Sequence, residues 1–175
     1  AADQVFVPTA MELNNLEYAQ WITPPEITGQ EPGVYHFRRS FDAGDTIQSF
    51  ILHVSADNRY ILYVNGDEIC RGPARGDLKH WQFESVDVTS HIKPGENVIA
   101  AVVWNCGEMK PWAQITRQTA FFLYSELNDR PFIYSDASWK VIQNTGIQFF
   151  KEEDNVRFPG CIGPGEIVTC ANMPE

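Results

Sequence analysis

The chain has 175 residues, enough for one domain with a substantial core, and 43% of them are hydrophobic. The formal net charge of −10 argues against a nucleic-acid partner, because phosphate contacts need clustered lysine and arginine, whereas neutral saccharides remain compatible. Neither a long apolar run nor a secretory signal is recognisable, so the sequence predicts no membrane partner.

Residues 1–33 show little periodicity and contain the pair Pro24 and Pro25, so they are predicted to form an extended lead-in packing on the following domain. The stretches VYHFRRSFD, SFILHVSAD and RYILYVNG then alternate apolar and polar side chains or are rich in β-branched residues, which predicts three strands. Asn65 and Gly66 favour a tight hairpin turn before DEIC, since both tolerate positive φ.

Further strands are predicted at HWQFESVDV, NVIAAVVW, FFLYSEL and SWKVIQ, the last at a sheet edge. Thr89 or Ser90 is expected to cap a single helical turn, and Pro94 with Gly95 predicts a turn before NVIAAVVW. NVIAAVVW itself is predicted to be a nearly continuous apolar strand.

No helical periodicity is sustained after residue 34, and seven to nine short strands with regular turn signals are expected. This pattern predicts an all-β fold, an antiparallel β-sandwich or jelly roll. We assign the sandwich to residues 34–150. Residues 151–175 are rich in glycine, proline and charge and are predicted to be a linker or tail.

Four cysteines are widely spaced, which argues against a zinc site: Cys70, Cys106, Cys161 and Cys170. Cys70 and Cys106 end apolar runs and are predicted to be buried free thiols. In an oxidising compartment the favoured disulfide would join Cys161 to Cys170.

Several stretches occur in a characteristic order: the hairpin LYVNG, the loop RGPARGDLKHW, the run DVTSHIKPGENVIAAVVW, and then AQITRQTAFFLY and SDASWKV. Together they cover about residues 33–143 and resemble the N-terminal β-sandwich module of bacterial α-L-rhamnosidases of glycoside hydrolase family 78. YVNG and KPGENV also occur in the sugar-binding domains of β-galactosidases, whereas the RGPARGDLKHW loop is more specific to the rhamnosidase group.

The resemblance implies a galactose-binding-domain-like jelly roll that is not an enzyme by itself, because the catalytic acid and base of that family lie in a separate (α/α) barrel. The expected function is that of an accessory domain that binds carbohydrate or supports the barrel. Its partners would be a rhamnose- or galactose-like saccharide and the catalytic domain of the parent enzyme, in the bacterial periplasm or outside the cell. A purely structural domain and a free-standing lectin are the alternatives.

Asp57 and Asn58 are the first candidate sugar ligands, although both residue types also shape turns through their own backbone. In one branch of the rhamnosidase-like modules an Asp-Asn pair at such a place binds rhamnose with calcium. The resemblance therefore implies calcium as a possible cofactor, with Asp57 as its ligand.

Trp81 either stacks on the sugar or lies in the core, and sugar binding would place Asp57, Asn58 and Trp81 in one open pocket. Asp77 and Lys79 are candidate rim contacts or members of a solvated loop. Trp112 follows a proline and is a second candidate aromatic platform. The SADN and GPARGDLKHW loops are expected to meet at one end of the sheet.

Overall fold

The computed structural model describes residues 18–150 and 161–174. Within them the strands form three antiparallel sheets, and the only helical elements are short 3₁₀ turns. The strands are β1 (Gly33–Asp42), β2 (Phe50–Asp57), β3 (Arg59–Val64), β4 (Asp67–Gly72), β5 (Glu84–Asp87), β6 (Glu96–Asn105), β7 (Ala120–Leu127), β8 (Arg130–Tyr134), β9 (Lys140–Gln143), β10 (Ile147–Phe150) and β11 (Gly165–Val168).

Two sheets pack face to face and confirm the predicted all-β sandwich. One has five strands in the order β4-β3-β6-β1-β9, and the other has four in the order β5-β2-β7-β8. The third sheet joins only β10 and β11. β9, which lies within the stretch SWKVIQ, is at a sheet edge, as predicted.

The core lies between the two large sheets because alternate side chains of their strands point inward. NVIAAVVW is a strand as predicted, and along β6 every second side chain from Asn97 is buried while those between are half-buried. Phe121 of β7 packs against Phe37 of β1, with 5.3 Å between their ring centroids. Both side chains are almost fully buried.

β7 is buried on both faces, because a segment preceding β1 covers its outer side. Phe121 and Leu123 face the core, whereas Phe122 and Tyr124 form a second apolar cluster with Trp21. Ile22 and Phe121 exchange two backbone hydrogen bonds in an antiparallel bridge, which ties the segment to the free edge of β7.

The hairpin turn predicted between β3 and β4 is confirmed, with Asn65 at φ 51° and Gly66 at φ 95°. Its register is secured because the Asn65 side chain donates to the Asn97 side chain and to the carbonyl of His91. A second turn of this kind, at Asn128 and Asp129, joins β7 to β8 and was missed.

Other sequence expectations require correction. HWQFESVDV forms a strand only at β5, and the helical turn Thr89–His91 begins after Val88 without a side-chain cap. The Thr89 hydroxyl instead accepts from the backbone N–H of Phe50. β8, β10 and β11 were not predicted, and β11 lies within the region interpreted as a tail.

All four cysteines are free thiols, so the Cys161–Cys170 pairing is wrong, and both of these residues are exposed. Cys70 and Cys106 are half-buried, and burial raises the pKa of Cys106 to about 11. Among the described residues, no helix is long and apolar enough to span a membrane.

Candidate functional site

The predicted meeting of two loops is present at the end of the sandwich where β2 finishes. Asn58, which directly follows β2, lies beside the loop from Pro73 to Trp81, and a third stretch that follows Trp112 completes this end. Together they surround a narrow recess lined by Asn58, Pro73, Ala74, Arg75, Gly76, Trp81, Gln82, Ala113, Gln114 and Ile115. Its volume is about 10 Å³, room for roughly one water molecule.

Asp57 is an internal anchor at this end of the sandwich. It is only 2% exposed, and its Oδ1 accepts a hydrogen bond of 2.5 Å from the Thr116 hydroxyl. Its Oδ2 accepts from the backbone N–H groups of Arg117 and Gln118, at 2.6 and 2.9 Å. Burial raises the pKa of Asp57, and these hydrogen bonds oppose that shift. The carboxylate thus holds the loop that precedes β7.

The same loop is held by two buried amide side chains. Asn58, also 2% exposed, donates from Nδ2 to the carbonyl of Ile115 at 2.9 Å. Asn105 donates to the Thr116 hydroxyl at 2.8 Å and accepts from the N–H of Gly107. The Asp57–Asn58 peptide bond is cis. Asp57 is buried and does not line the recess, so the expectation that Asp57, Asn58 and Trp81 share one open pocket is wrong.

The resemblance implies that Asp57 is a calcium ligand, and the hydrogen bonds of its carboxylate show whether it is free for that role. Calcium takes six to eight oxygen ligands, usually including several carboxylates. Both oxygens of Asp57 already accept hydrogen bonds from the protein. Across residues 18–150 and 161–174, no three acidic, histidine or cysteine side chains are grouped to hold a metal. The residues present thus fit an anchoring role for Asp57 better than a cation site.

Trp81 is neither fully buried in the core nor fully exposed for stacking on a sugar. It is half-buried, precedes β5 and packs edge-on against Trp21, with ring centroids 6.0 Å apart and planes at 85°. Its indole N–H donates to the carbonyl of Ala56 at 3.4 Å. One side of the ring therefore supports the second apolar cluster, while the other borders the recess.

Asp77 and Lys79 lie in an exposed turn next to the recess. The Asp77 carboxylate accepts from the backbone N–H groups of Lys79 and His80 and contacts Nδ1 of His80 at 2.9 Å. The hydrogen bond from His80 is the main reason that the pKa of Asp77 is lowered. Asp77 therefore stabilises its own turn, and Lys79 remains exposed at the rim.

Trp112 is the most exposed large hydrophobic side chain of the described residues, at 78%. It directly precedes Ala113, Gln114 and Ile115 of the recess wall. At this exposure the indole ring contributes little to the core, and most of its surface faces solvent. The structure thus agrees with the prediction that Trp112 is exposed.

Glu84, which the sequence analysis did not single out, fixes the loop that follows β4. Its Oε1 accepts from the N–H of Ala74 at 2.8 Å, and its Oε2 accepts from the Tyr60 hydroxyl at 2.6 Å. Burial and this hydrogen bond raise the pKa of Tyr60. A Cβ on Gly72 would collide with Glu84 and Tyr60, so only glycine fits there. The sequence shows both Tyr60 and Glu84, but nothing in it indicates that they form a hydrogen bond, because they lie on different strands that only the fold brings together.

No protein-family model matches the chain. A curated α-L-rhamnosidase of Streptomyces avermitilis is 30% identical over 147 residues, covering 82% of this chain and 14% of that protein. Among solved structures, a family 78 rhamnosidase of Bacillus sp. GL1 aligns with a TM-score of 0.77 and 25% identity, over 89% of this chain and 16% of its own. A Streptomyces avermitilis α-L-rhamnosidase complexed with L-rhamnose aligns with a TM-score of 0.58 and 26% identity, over 86% and 14%.

The chain thus spans only a small part of the length of these relatives. In residues 18–150 and 161–174 the regular elements are antiparallel strands and short 3₁₀ turns, so the matched region is a β-sandwich. The chain is therefore related to the α-L-rhamnosidases of glycoside hydrolase family 78, as a non-catalytic accessory β-sandwich module of such enzymes.

Proposed function

We propose that this module binds a saccharide on the loop surface around Trp112. The single observation that carries the proposal is the open face of this tryptophan, 78% exposed. Aromatic rings stack on the apolar C–H face of a sugar, while nearby polar groups hold its hydroxyls. Arg75, Gln82 and Gln114 lie at the adjoining recess and can supply such groups.

Lys79 and Asp77 extend this polar rim on the side of the exposed turn. Asp57 and Asn58 take part indirectly, because they hold the loop that follows Trp112. A rhamnose- or galactose-like sugar is the ligand class. L-Rhamnose is the first sugar to test, since one structurally similar enzyme was solved in complex with it. The module would meet such saccharides in the bacterial periplasm or outside the cell.

Calorimetric titration of L-rhamnose and of D-galactose, with calcium and with a chelator, tests the proposal. We expect millimolar binding that Trp112→Ala weakens by about tenfold, with a stability change below about 0.5 kcal/mol. Tyr18→Ala is the matched control, because Tyr18 is also an exposed aromatic, at 50%, and packs on Tyr134. No saturable heat with either sugar, or equal loss in both variants, would contradict saccharide binding at Trp112.

A second candidate function, support of a catalytic domain, is favoured by a different surface. Within residues 161–174, Ile162, Ile167 and Val168 are 76%, 51% and 52% exposed. Ile167 and Val168 leave an apolar side chain exposed on each face of β11, and exposed apolar side chains of this size can be covered by another domain. In an enzyme that joins this module to a catalytic domain, we expect Ile167→Ser with Val168→Ser to lower the melting temperature of the whole protein. An unchanged melting temperature would exclude this contact.

A further inference from the structure

A second cleft lies at the edge of the five-stranded sheet, away from the residues that line the recess. Arg38, Arg39 and Ser40 of β1 form one side, and Ser138 and Lys140 form the other. Its volume is about 340 Å³. Sites for small ligands have volumes of roughly 300–1,000 Å³, so this cleft has room for a sugar unit.

The cleft concentrates positive charge on an acidic protein. Three of its five lining residues are cationic, whereas the whole chain has 13 lysines and arginines and a net charge of −10. Arg39 is neutralised by Asp136 at 3.0 Å and also donates to the carbonyl of Tyr134. Arg38 and Lys140 are exposed, and no carboxylate of the described residues forms an ion pair with either.

The strand register places Arg38 and Lys140 side by side. Arg38 lies directly opposite Lys140 in the β1–β9 ladder, so both side chains point to the same face of the sheet. Like charges at directly opposed positions destabilise a sheet. β9 pairs only with Tyr35 to Arg38, so beyond Arg38 this edge of β1 is not covered by β9. A bound anion would remove the repulsion.

The type of anion follows from the geometry and from the charge of the whole chain. A guanidinium and an ammonium side by side suit a carboxylate, which can accept from both. The net charge of −10 opposes the approach of a polyanion such as a nucleic acid or an acidic peptide stretch. A ligand with one localised carboxylate in an otherwise neutral molecule avoids that repulsion.

We propose that the cleft at Arg38 and Lys140 binds the carboxylate of a uronic-acid unit within a saccharide. This inference rests on the proposed saccharide-binding function and adds a second subsite with its own ligand chemistry. Arg38 and Lys140 would contact the carboxylate, and the Ser40 hydroxyl lies in the cleft to meet a sugar hydroxyl. Arg39 remains a structural residue because Asp136 holds it.

Titration of D-galacturonate and D-glucuronate into the protein, beside neutral D-galactose, tests the inference. We expect Arg38→Gln and Lys140→Gln each to weaken uronate binding by about tenfold, since each removes one charged hydrogen-bond donor. Lys93→Gln is the matched control, because Lys93 is exposed and lies outside the cleft. Raising the salt from about 0.05 M to about 0.5 M should also weaken uronate binding but not galactose binding.

A stability measurement separates a binding role from a structural one. If Lys140 serves a ligand, Lys140→Gln relieves the repulsion from Arg38 and leaves the melting temperature equal or higher. A lower melting temperature for Lys140→Gln would assign the residue a structural role and overturn the inference.

The binding outcomes also distinguish the two proposals. Uronate binding that depends on Trp112 and not on Lys140 would overturn the second subsite and leave the proposed function standing. Binding of D-galactose without any binding of D-galacturonate or D-glucuronate would also overturn the second subsite and leave the proposed function standing. Uronate binding lost in Lys140→Gln but kept in Trp112→Ala would support the cleft, and the loop site would then be decided by the L-rhamnose and D-galactose titrations alone. Equal binding of inorganic phosphate would overturn the assignment to a sugar carboxylate.

Discussion

Replacing Asp57 by alanine should destabilise the whole module, because this carboxylate is the acceptor for three groups of one loop. In Asp57→Ala, the N–H groups of Arg117 and Gln118 and the Thr116 hydroxyl lose their partner. A buried polar group left without a partner costs roughly 1–3 kcal/mol. The hydroxyl can rotate and a buried charge is removed, so we expect a net loss of about 3 kcal/mol.

For a domain of this length, such a loss lowers the melting temperature by roughly 6–12 °C. Urea unfolding followed by tryptophan fluorescence gives the free energy of unfolding, and the slope checks that the transition stays two-state. Asp45→Ala is the control because Asp45 is exposed, and it should change stability by less than about 0.5 kcal/mol. Equal stability of Asp57→Ala and the wild type would refute the anchoring role.

The pH dependence gives an independent check on Asp57. Burial raises its pKa in the folded protein, so the folded chain holds this proton more tightly than the unfolded chain. The resulting stabilisation is fully present below the unfolded pKa of about 3.9 and is lost as the pH rises through the folded value. Relative to Asp57→Asn, the wild type should therefore gain stability as the pH falls from 7 towards about 4. A relative loss would mean that the hydrogen bonds outweigh burial.

Three further changes test the packing. Glu84→Ala should cost about 2 kcal/mol and speed hydrogen exchange at Ala74, whose N–H it leaves unpaired; unchanged exchange would contradict this. Gly66→Ala should cost about 1–2 kcal/mol in urea unfolding because φ is positive, whereas Gly29→Ala, with ordinary contacts and no positive φ, should cost less. Phe121→Ala should cost about 3–5 kcal/mol by the same measurement, and a value below about 1 kcal/mol would exclude its central place in the core.

Local patterns were sufficient to predict most of the sandwich. The strands of alternating or β-branched residues and the turn at Asn65 and Gly66 depend on neighbours in sequence, so the sequence alone indicates them. β8 was missed because Pro131 near its start argues against a strand unless the strand lies at an edge, as this one does. β10 and β11 have four residues each and pair only with each other, so neither has a sequence pattern long enough to predict a strand.

The candidate site was less predictable, because burial decides its chemistry. An aspartate at the end of a strand can shape a turn, bind a sugar or anchor a loop inside the protein. Only the hydrogen bond from Thr116, far away in sequence, shows that Asp57 is an internal anchor. Trp112 was predicted to be exposed from its neighbouring proline, and that inference needed no long-range contact. The pairing of Arg38 with Lys140 depends on strand register, which the sequence does not reveal.

The segment that precedes β1 and packs Trp21 on the outer face of β7 has a practical consequence for dividing the protein. A shortened chain that starts at residue 34 would lack Trp21 and Ile22 and would leave Phe122 and Tyr124 facing water. Such a surface on a four-stranded sheet invites self-association. A protein shortened to residues 34–150 is therefore expected to aggregate on expression, whereas one that retains residues 18–33 keeps the sheet covered.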